Sequence, residues 1–216
     1  MEKLSKRHRK DELLGISSDL RTLLDNEYLH KQDNLSAQNP KLLVAFSGTS
    51  AVGKSTLSKR IEEELNGLVI ENDGVKRCLI EHRPELSQRE RGKVTWEYTM
   101  DLFRRLPEVT PNGLIVRDAV IDWYFDRIFP IFEASGYKIF IVKFDVSKDK
   151  NVDLLKSRGD TETQSLENLL DVLPEQHIHM TRFAESYKPD ITLTDDNLYD
   201  HKAVVEKLRK TLNELK

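Results

Sequence analysis

An α/β fold, with a five-stranded parallel sheet flanked by helices and an extra N-terminal helix, follows from three observations. Five short apolar runs alternate along the chain with longer amphipathic stretches, the pattern of strands joined by right-handed helical crossovers. The runs are apolar almost throughout, as strands buried on both faces must be. The first run leads into a glycine-rich loop and then a helix, a unit that parallel sheets use for ligands at the carboxyl ends of their strands.

The first of these runs, Leu42-Leu43-Val44-Ala45-Phe46, stands between Pro40 and Gly48. It is followed by Gly48-Thr49-Ser50-Ala51-Val52-Gly53-Lys54-Ser55-Thr56, which contains the pattern G-x-x-x-x-G-K-[ST]. Residues 57–65 then place Leu57, Ile61 and Leu65 on one helical face. A loop that turns its amides inward needs glycine. A loop that ends at a helix N-terminus offers free N–H groups and a favourable dipole to an anion. These nine residues are therefore the expected cradle for a nucleoside triphosphate. Lys54 is expected to reach the β- and γ-phosphates, and the Ser55 hydroxyl to ligate Mg²⁺.

Upstream, residues 10–30 carry Leu13, Ile16, Leu20, Leu23, Leu24 and Tyr28 at helical spacing. The apolar face is expected to pack on the core, with a partner-binding arm as the alternative. Residues 31–39 read as a linker, so 1–40 form a helical extension and 41–216 the P-loop domain. Downstream, residues 67–71 form a second strand, expected beside the P-loop strand. It ends at Asn72-Asp73-Gly74, before a helix over 75–81. Residues 86–106 read as a longer helix broken by Pro107 and Pro111. The third strand is 113–118, followed by a helix over 123–134 that Gly136 stops. The fourth strand is 137–144. A short helix over 151–156 precedes an exposed turn, Ser157-Arg158-Gly159-Asp160. Residues 166–187 are helical with an interruption near Pro174. The fifth strand is 190–194 and the last helix 198–215.

The polar residues at the strand ends carry the chemistry. Asp73, after the second strand, is the candidate base that orients and deprotonates an acceptor hydroxyl; capping of the next helix is its structural alternative. Lys76 and Arg77 lie one helical turn further on and are expected to contact substrate. Asp118, ending the third strand, is the candidate Mg²⁺ ligand, with Asp122 as the alternative. Arg158 is expected to cover the transferring phosphate from a mobile lid, Arg127 to touch substrate, and Arg182 to be a weaker lid candidate. His177 and His179 are two apart, poor spacing for a metal on a helix, and read as surface residues.

With those residues placed, the chain resembles the P-loop kinases of the zeta-toxin, chloramphenicol phosphotransferase and polynucleotide 5′-kinase group, over roughly residues 41–194. The resemblance implies an adenylate-kinase-like fold, ATP and Mg²⁺ as cofactors, and a catalytic aspartate in an Asp-x-x-Arg element after the second strand. Here Asp73-Gly74-Val75-Lys76-Arg77 puts Lys76 in the arginine position and Arg77 one residue later. Asp126-Arg127, Phe144-Asp145-Val146 and Ser157-Arg158-Gly159 are similar to the polynucleotide kinase arrangement, whose arginines here serve a lid.

Composition narrows the partners. The net charge of -3 gives no global basicity for nucleic acid. Cys78 is the sole cysteine, so no disulfide forms within the chain and a reducing compartment is expected. No apolar run has transmembrane length. The basic stretch 3–10 is followed by no apolar core of a signal peptide, and reads as a solvated helix start, so the cytoplasm is the expected location. The guanine-switch strings D-x-x-G and N-K-x-D do not occur. A kinase acting on a hydroxyl is therefore the expected function, against a nucleotide switch and a catalytically silent ATP-binding module. The acceptor is expected to be a small molecule or nucleotide-like, with a polynucleotide 5′-hydroxyl as the alternative. The region 81–106 is its expected wall. There His82, Arg83, Arg89, Arg91, Lys93, Trp96 and Tyr98 either stack a base and hold phosphates or form a charged helix with a buried aromatic face.

Overall fold

The computed structural model describes residues 16–29, 39–109 and 113–216. A helix α1 (Ser18–Leu24), capped by the Ser17 hydroxyl, runs into a π turn, Asp25–Leu29. The remaining elements alternate: β1 (Leu42–Ser47), α2 (Lys54–Leu65), β2 (Leu68–Glu71), α3 (Asn72–His82), α4 (Gln88–Val109), β3 (Leu114–Val120), α5 (Phe125–Ala134), β4 (Lys138–Asp145), α6 (Lys148–Arg158), α7 (Leu166–Ser186), β5 (Ile191–Thr194) and α8 (His201–Glu214). The five strands form one parallel sheet in the order β2-β3-β1-β4-β5, as the alternation predicts.

Every residue of β1 is buried, and its alternate side chains enter two different cores. Leu43 and Ala45 join Leu79, Leu102, Phe103, Phe129 and Phe183 from α3, α4, α5 and α7. Leu42, Val44 and Phe46 join Leu57 and Ile61 of α2 and Val204, Val205 and Leu208 of α8. A six-residue strand with no exposed position, its one polar side chain, Ser47, buried at the P-loop end, is what a place between two helical layers requires. Among the described residues, no helix is long and apolar enough to cross a membrane.

Several expectations are corrected. The second strand does not lie beside the P-loop strand: β3 pairs with both β1 and β2 and separates them. No loop follows β2, because α3 starts at Asn72 and takes Asp73 and Gly74 into its first turn. β3 continues past Asp118 to Val120, and α6 is longer than expected, so Arg158 is its last residue rather than part of a turn. Helix α4 runs through Pro107 to Val109; Pro111 lies outside the described residues. Helix α7 passes Pro174 without a break. A proline there removes one backbone bond. The buried face of α7, Leu169, Leu173, Gln176, His179, Met180 and Phe183, outweighs that loss.

The described part of the N-terminal region packs on the core. Leu20, Leu24, Tyr28 and Leu29 are buried with α3 and α4 residues. Arg21 pairs with Asp101 at 3.0 Å, and Asp25 accepts two hydrogen bonds from Arg105, both 3.0 Å, and one from the Tyr98 hydroxyl at 2.9 Å. Leu13, the basic stretch 3–10 and the linker up to residue 38 lie outside the described residues.

Candidate active site

The loop between β1 and α2 is shaped by contacts specific to its sequence. Gly48 adopts a φ of 132°, and a Cβ there would stand 2.8 Å from the Phe144 Cβ and carbonyl oxygen, so the close approach of β4 requires glycine. The Gly48 N–H donates to Asp122 Oδ2 at 2.8 Å. Ser50 is held by two helices: its N–H donates to Gln176 Oε1 at 2.9 Å, Gln176 Nε2 donates to its hydroxyl at 2.9 Å, and Asn151 donates to its carbonyl at 2.8 Å. Ala51, at a φ of 65°, packs on Leu155, Leu169 and Leu173.

Helix α2 has Gly53 at its cap, no side-chain cap and no acidic residue in its first turn. α3 and α5 also lack a side-chain cap, but each carries an aspartate in its first turn, Asp73 and Asp126. The first N–H groups of α2 are left to an external acceptor, and an anion is the partner the dipole favours.

Lys54, the first residue of that helix, is buried, and its ammonium donates to the Thr49 carbonyl. Burial lowers its pKa to about 8 against the opposing pull of Asp118 and Asp122, and nearby Arg158 lowers it further. Asp118 accepts a hydrogen bond from the Ser55 hydroxyl; burial raises its pKa, with Lys54 and Arg117 opposing. The irregular register of β3 makes this contact. Ala45 pairs with Arg117 but Phe46 pairs with Val120, so Asp118 and Ala119 leave the β1 ladder just below the P-loop. Asp122 is almost wholly buried under the loop, and burial raises its pKa to about 6.

Asp73 is half-buried in the first turn of α3, where Glu71 holds the cap position. Burial pushes its carboxyl up, but Lys76, 2.8 Å away, the Thr163 hydroxyl and Arg158 outweigh it and hold the pKa below the ordinary value. Lys76 thus faces Asp73, while Arg77 turns back to Glu71 at 2.5 Å. Arg158 is close enough to bear electrostatically on both Lys54 and Asp73. Arg127 stands exposed in the first turn of α5, and Arg182 lies over Phe125, 3.9 Å from Asp126. Of the two histidines expected on the surface, His179 is instead buried and stacks on Trp123, with ring centroids 4.3 Å apart. In the wall over 81–106 the aromatic rings face inward: Trp96 is buried on Tyr124 at 3.9 Å, and Tyr98 reaches Asp25.

Sequence reasoning missed five residues around this site. Gln176 and Asn151 fix the loop, Thr163 touches Asp73, and Asn72 accepts from Arg117 at 2.7 Å. Arg117 is 3% exposed, and its pKa is lowered to about 10 by burial. A charge within the strand, directly after the apolar run Leu114-Ile115-Val116, was the signal that could have found it.

The Ser55 hydroxyl and the Asp118 carboxylate are hard oxygen donors placed together at the mouth of the loop. They suit Mg²⁺, which keeps several waters and takes few protein ligands. Among the described residues, no group of three or more His, Cys, Asp or Glu could hold a metal by itself.

The chain is similar to known proteins in family and fold. The family model described as AAA domain matches residues 43–183. A candidate kinase from Chloroflexus aurantiacus superimposes with a TM-score of 0.59 at 17% identity, over 84% of this chain and 100% of that one. The PezAT toxin–antitoxin structure from Streptococcus pneumoniae gives 0.57 at 14% identity, over 94% and 89%. Shikimate kinase from Bacteroides thetaiotaomicron gives 0.52 at 16% identity, over 80% and 98%. At these identities the likeness is one of fold, that of small P-loop kinases. No curated protein sequence matches the chain.

Proposed function

The chain belongs to the AAA domain family, and from that premise we propose that it is an ATP-dependent kinase that moves the γ-phosphate to a hydroxyl group. The observation that carries the reading is Asp73: a carboxylate held ionised beside a lysine, in the same electrostatic neighbourhood as Asp118 and the lid residue Arg158. A nucleotide-binding module needs the P-loop; an ionised acid facing it is what an acceptor hydroxyl needs.

In the transfer, the acceptor oxygen attacks the γ-phosphorus, the bond to the β–γ bridging oxygen breaks, and ADP leaves. The acceptor proton passes to Asp73. Gly48, Thr49, Ser50, Ala51, Val52, Gly53 and Thr56 frame the phosphates, and Lys54 neutralises charge on the β- and γ-groups. Ser55 and Asp118 would hold Mg²⁺, which would supply charge neutralisation at the phosphates when bound. Arg158 covers the transferring group, while Lys76, Arg77 and Arg127 serve the acceptor.

Within the fold, we place the chain in the zeta-toxin, chloramphenicol phosphotransferase and polynucleotide kinase group. Residues 41–216 are the catalytic unit, preceded by the N-terminal extension, and the cytoplasm is the compartment. The burial of Trp96 and Tyr98 supports a small or nucleotide-like acceptor over a stacked polynucleotide.

The test is transfer of labelled γ-phosphate from MgATP to a metabolite pool, sugar nucleotides, nucleosides and a 5′-hydroxyl oligonucleotide. Label is expected in one small-molecule class, and both Lys54→Ala and Asp73→Asn should abolish it. Tight ATP binding with no labelled product, or an Asp73→Asn variant as active as wild type, would discard the proposal.

A further inference from the structure

Asp73 is bracketed by side chains that no phosphate-binding role explains, and the most intimate comes from the N-terminal region. The Tyr28 hydroxyl donates to the Glu71 carbonyl at 3.1 Å and accepts from the Glu71 N–H at 2.9 Å. It thus closes both backbone groups where β2 turns into α3. The Tyr28 ring lies on Gly74: a Cβ at that position would come within 2.6 Å of Tyr28 Cε2 and 2.7 Å of Glu71 Oε1. Glycine in a helical turn is less favourable than alanine. Here its bare Cα is what admits the ring. Tyr28 therefore touches the chain on both sides of Asp73.

Arg117 completes the bracket from below. Its guanidinium donates to the Ile70 carbonyl at 3.2 Å and to Asn72 Oδ1 at 2.7 Å, and lies 5.2 Å from the centre of the Phe103 ring. Positions 70, 71, 72 and 74 are each held by a neighbour, and Asp73 presents its carboxylate to Lys76 and Thr163. Tyr28 is itself fixed. It is 6% exposed, its ring meets Tyr98 edge-on at 6.3 Å, and the Tyr98 hydroxyl donates to Asp25 three residues before it.

We propose that Tyr28 is a positioning residue for Asp73, so that the segment Asp25–Leu29 is part of the frame of the active site. The proposal rests on the reading of Asp73 as the base. Phosphoryl transfer depends on placement of the acceptor, and small displacements of the group that places it cost orders of magnitude in rate.

The experiment uses the full chain as wild type, Tyr28→Phe, Asp73→Asn, the double variant and Gly74→Ala. Tyr28→Phe keeps the packed ring and removes the hydroxyl; Gly74→Ala keeps the hydroxyl and drives the ring away. Three quantities are read: turnover of labelled MgATP with water as acceptor, affinity for a fluorescent ATP analogue, and amide hydrogen exchange. Both single variants at positions 28 and 74 should slow turnover about tenfold and leave nucleotide affinity within about twofold. They should speed exchange of amides 71–75 about tenfold and leave amides 48–56 as in wild type. The double variant should be no slower than Asp73→Asn alone. Unchanged exchange at 71–75 overturns the proposal, whatever the turnover. So does a double variant slowed by the product of the two single effects. If Asp73→Asn is impaired and Tyr28→Phe is not, the base assignment stands and the positioning role falls. If Asp73→Asn turns over like wild type, the base assignment itself fails and takes the positioning role with it.

Discussion

Lys54 shows how a single residue sets function against stability. Its ammonium is buried with its pKa depressed to about 8 from 10.5, because the cost of desolvation exceeds the attraction of Asp118 and Asp122. The unfolded chain therefore binds more protons than the folded one between pH 8 and 10.5. The cost of the charge is fully present below pH 8 and disappears as pH rises through that window. A depression of that size corresponds to about 3 kcal/mol. Lys54→Met should consequently raise the stability of the nucleotide-free protein at pH 7 by roughly 1–3 kcal/mol, allowing for the Thr49 carbonyl that loses its donor. Its advantage should shrink as pH approaches 10.5, while ATP binding is lost at every pH. Urea titrations of both proteins at pH 7 and 10 check this; a less stable variant at pH 7 would contradict it. The lysine was legible in the sequence because the motif fixes its identity, spacing and context together. Tyr28 and Arg117 were not, because one hydroxyl and one buried charge become meaningful only when residues 40 or more apart meet.

At the scale of elements, α6 and α7 form a hairpin that grips the P-loop at one end and reaches Asp73 at the other. Gln176 and Asn151 hold Ser50, and Thr163, in the connection between the helices, contacts Asp73. Ordering of the loop is thereby shared with the segment that carries Arg158. Gln176→Ala removes two hydrogen bonds to Ser50 and should weaken ATP binding roughly tenfold, the equivalent of about 1.4 kcal/mol. Titration with a fluorescent ATP analogue measures it, and an affinity equal to wild type would show that the loop keeps its shape unaided. The helices and strands themselves were legible from periodicity, but several ends were not. Asp73 and Gly74 read as a turn because both residues favour turns, yet tertiary contacts draw them into α3. Pro107 and Pro174 read as breaks, yet long helices absorb them. The order of the strands was outside the reach of local patterns, since nothing in β2 names β3 rather than β1 as its neighbour.

The whole molecule is held together across its N-terminal seam by a partly buried charge network. Asp25 pairs with Arg105 and accepts from Tyr98, and Arg105 also donates to Asp101, itself paired with Arg21. Removing one member leaves the others desolvated and unmatched, which costs more than the intact network contributes. Asp25→Ala should therefore destabilise the protein by roughly 2–3 kcal/mol, seen as a lower urea midpoint with an unchanged slope. A loss below about 0.5 kcal/mol would mean that water replaces the carboxylate. The sheet order also governs how the chain is made. The P-loop strand is central, and both its neighbours come late: Leu42 pairs with Leu114 on one side and Lys138 on the other. At ordinary rates of synthesis, the first partner leaves the ribosome roughly 4–14 s after β1 does. For that interval the six-residue run Leu42–Ser47 has no ladder to join, and the N-terminal segment has emerged without Arg105 to receive it. The growing chain is expected to bind chaperones that hold apolar strands, and slowing translation between β1 and β3 should lengthen its stay with them.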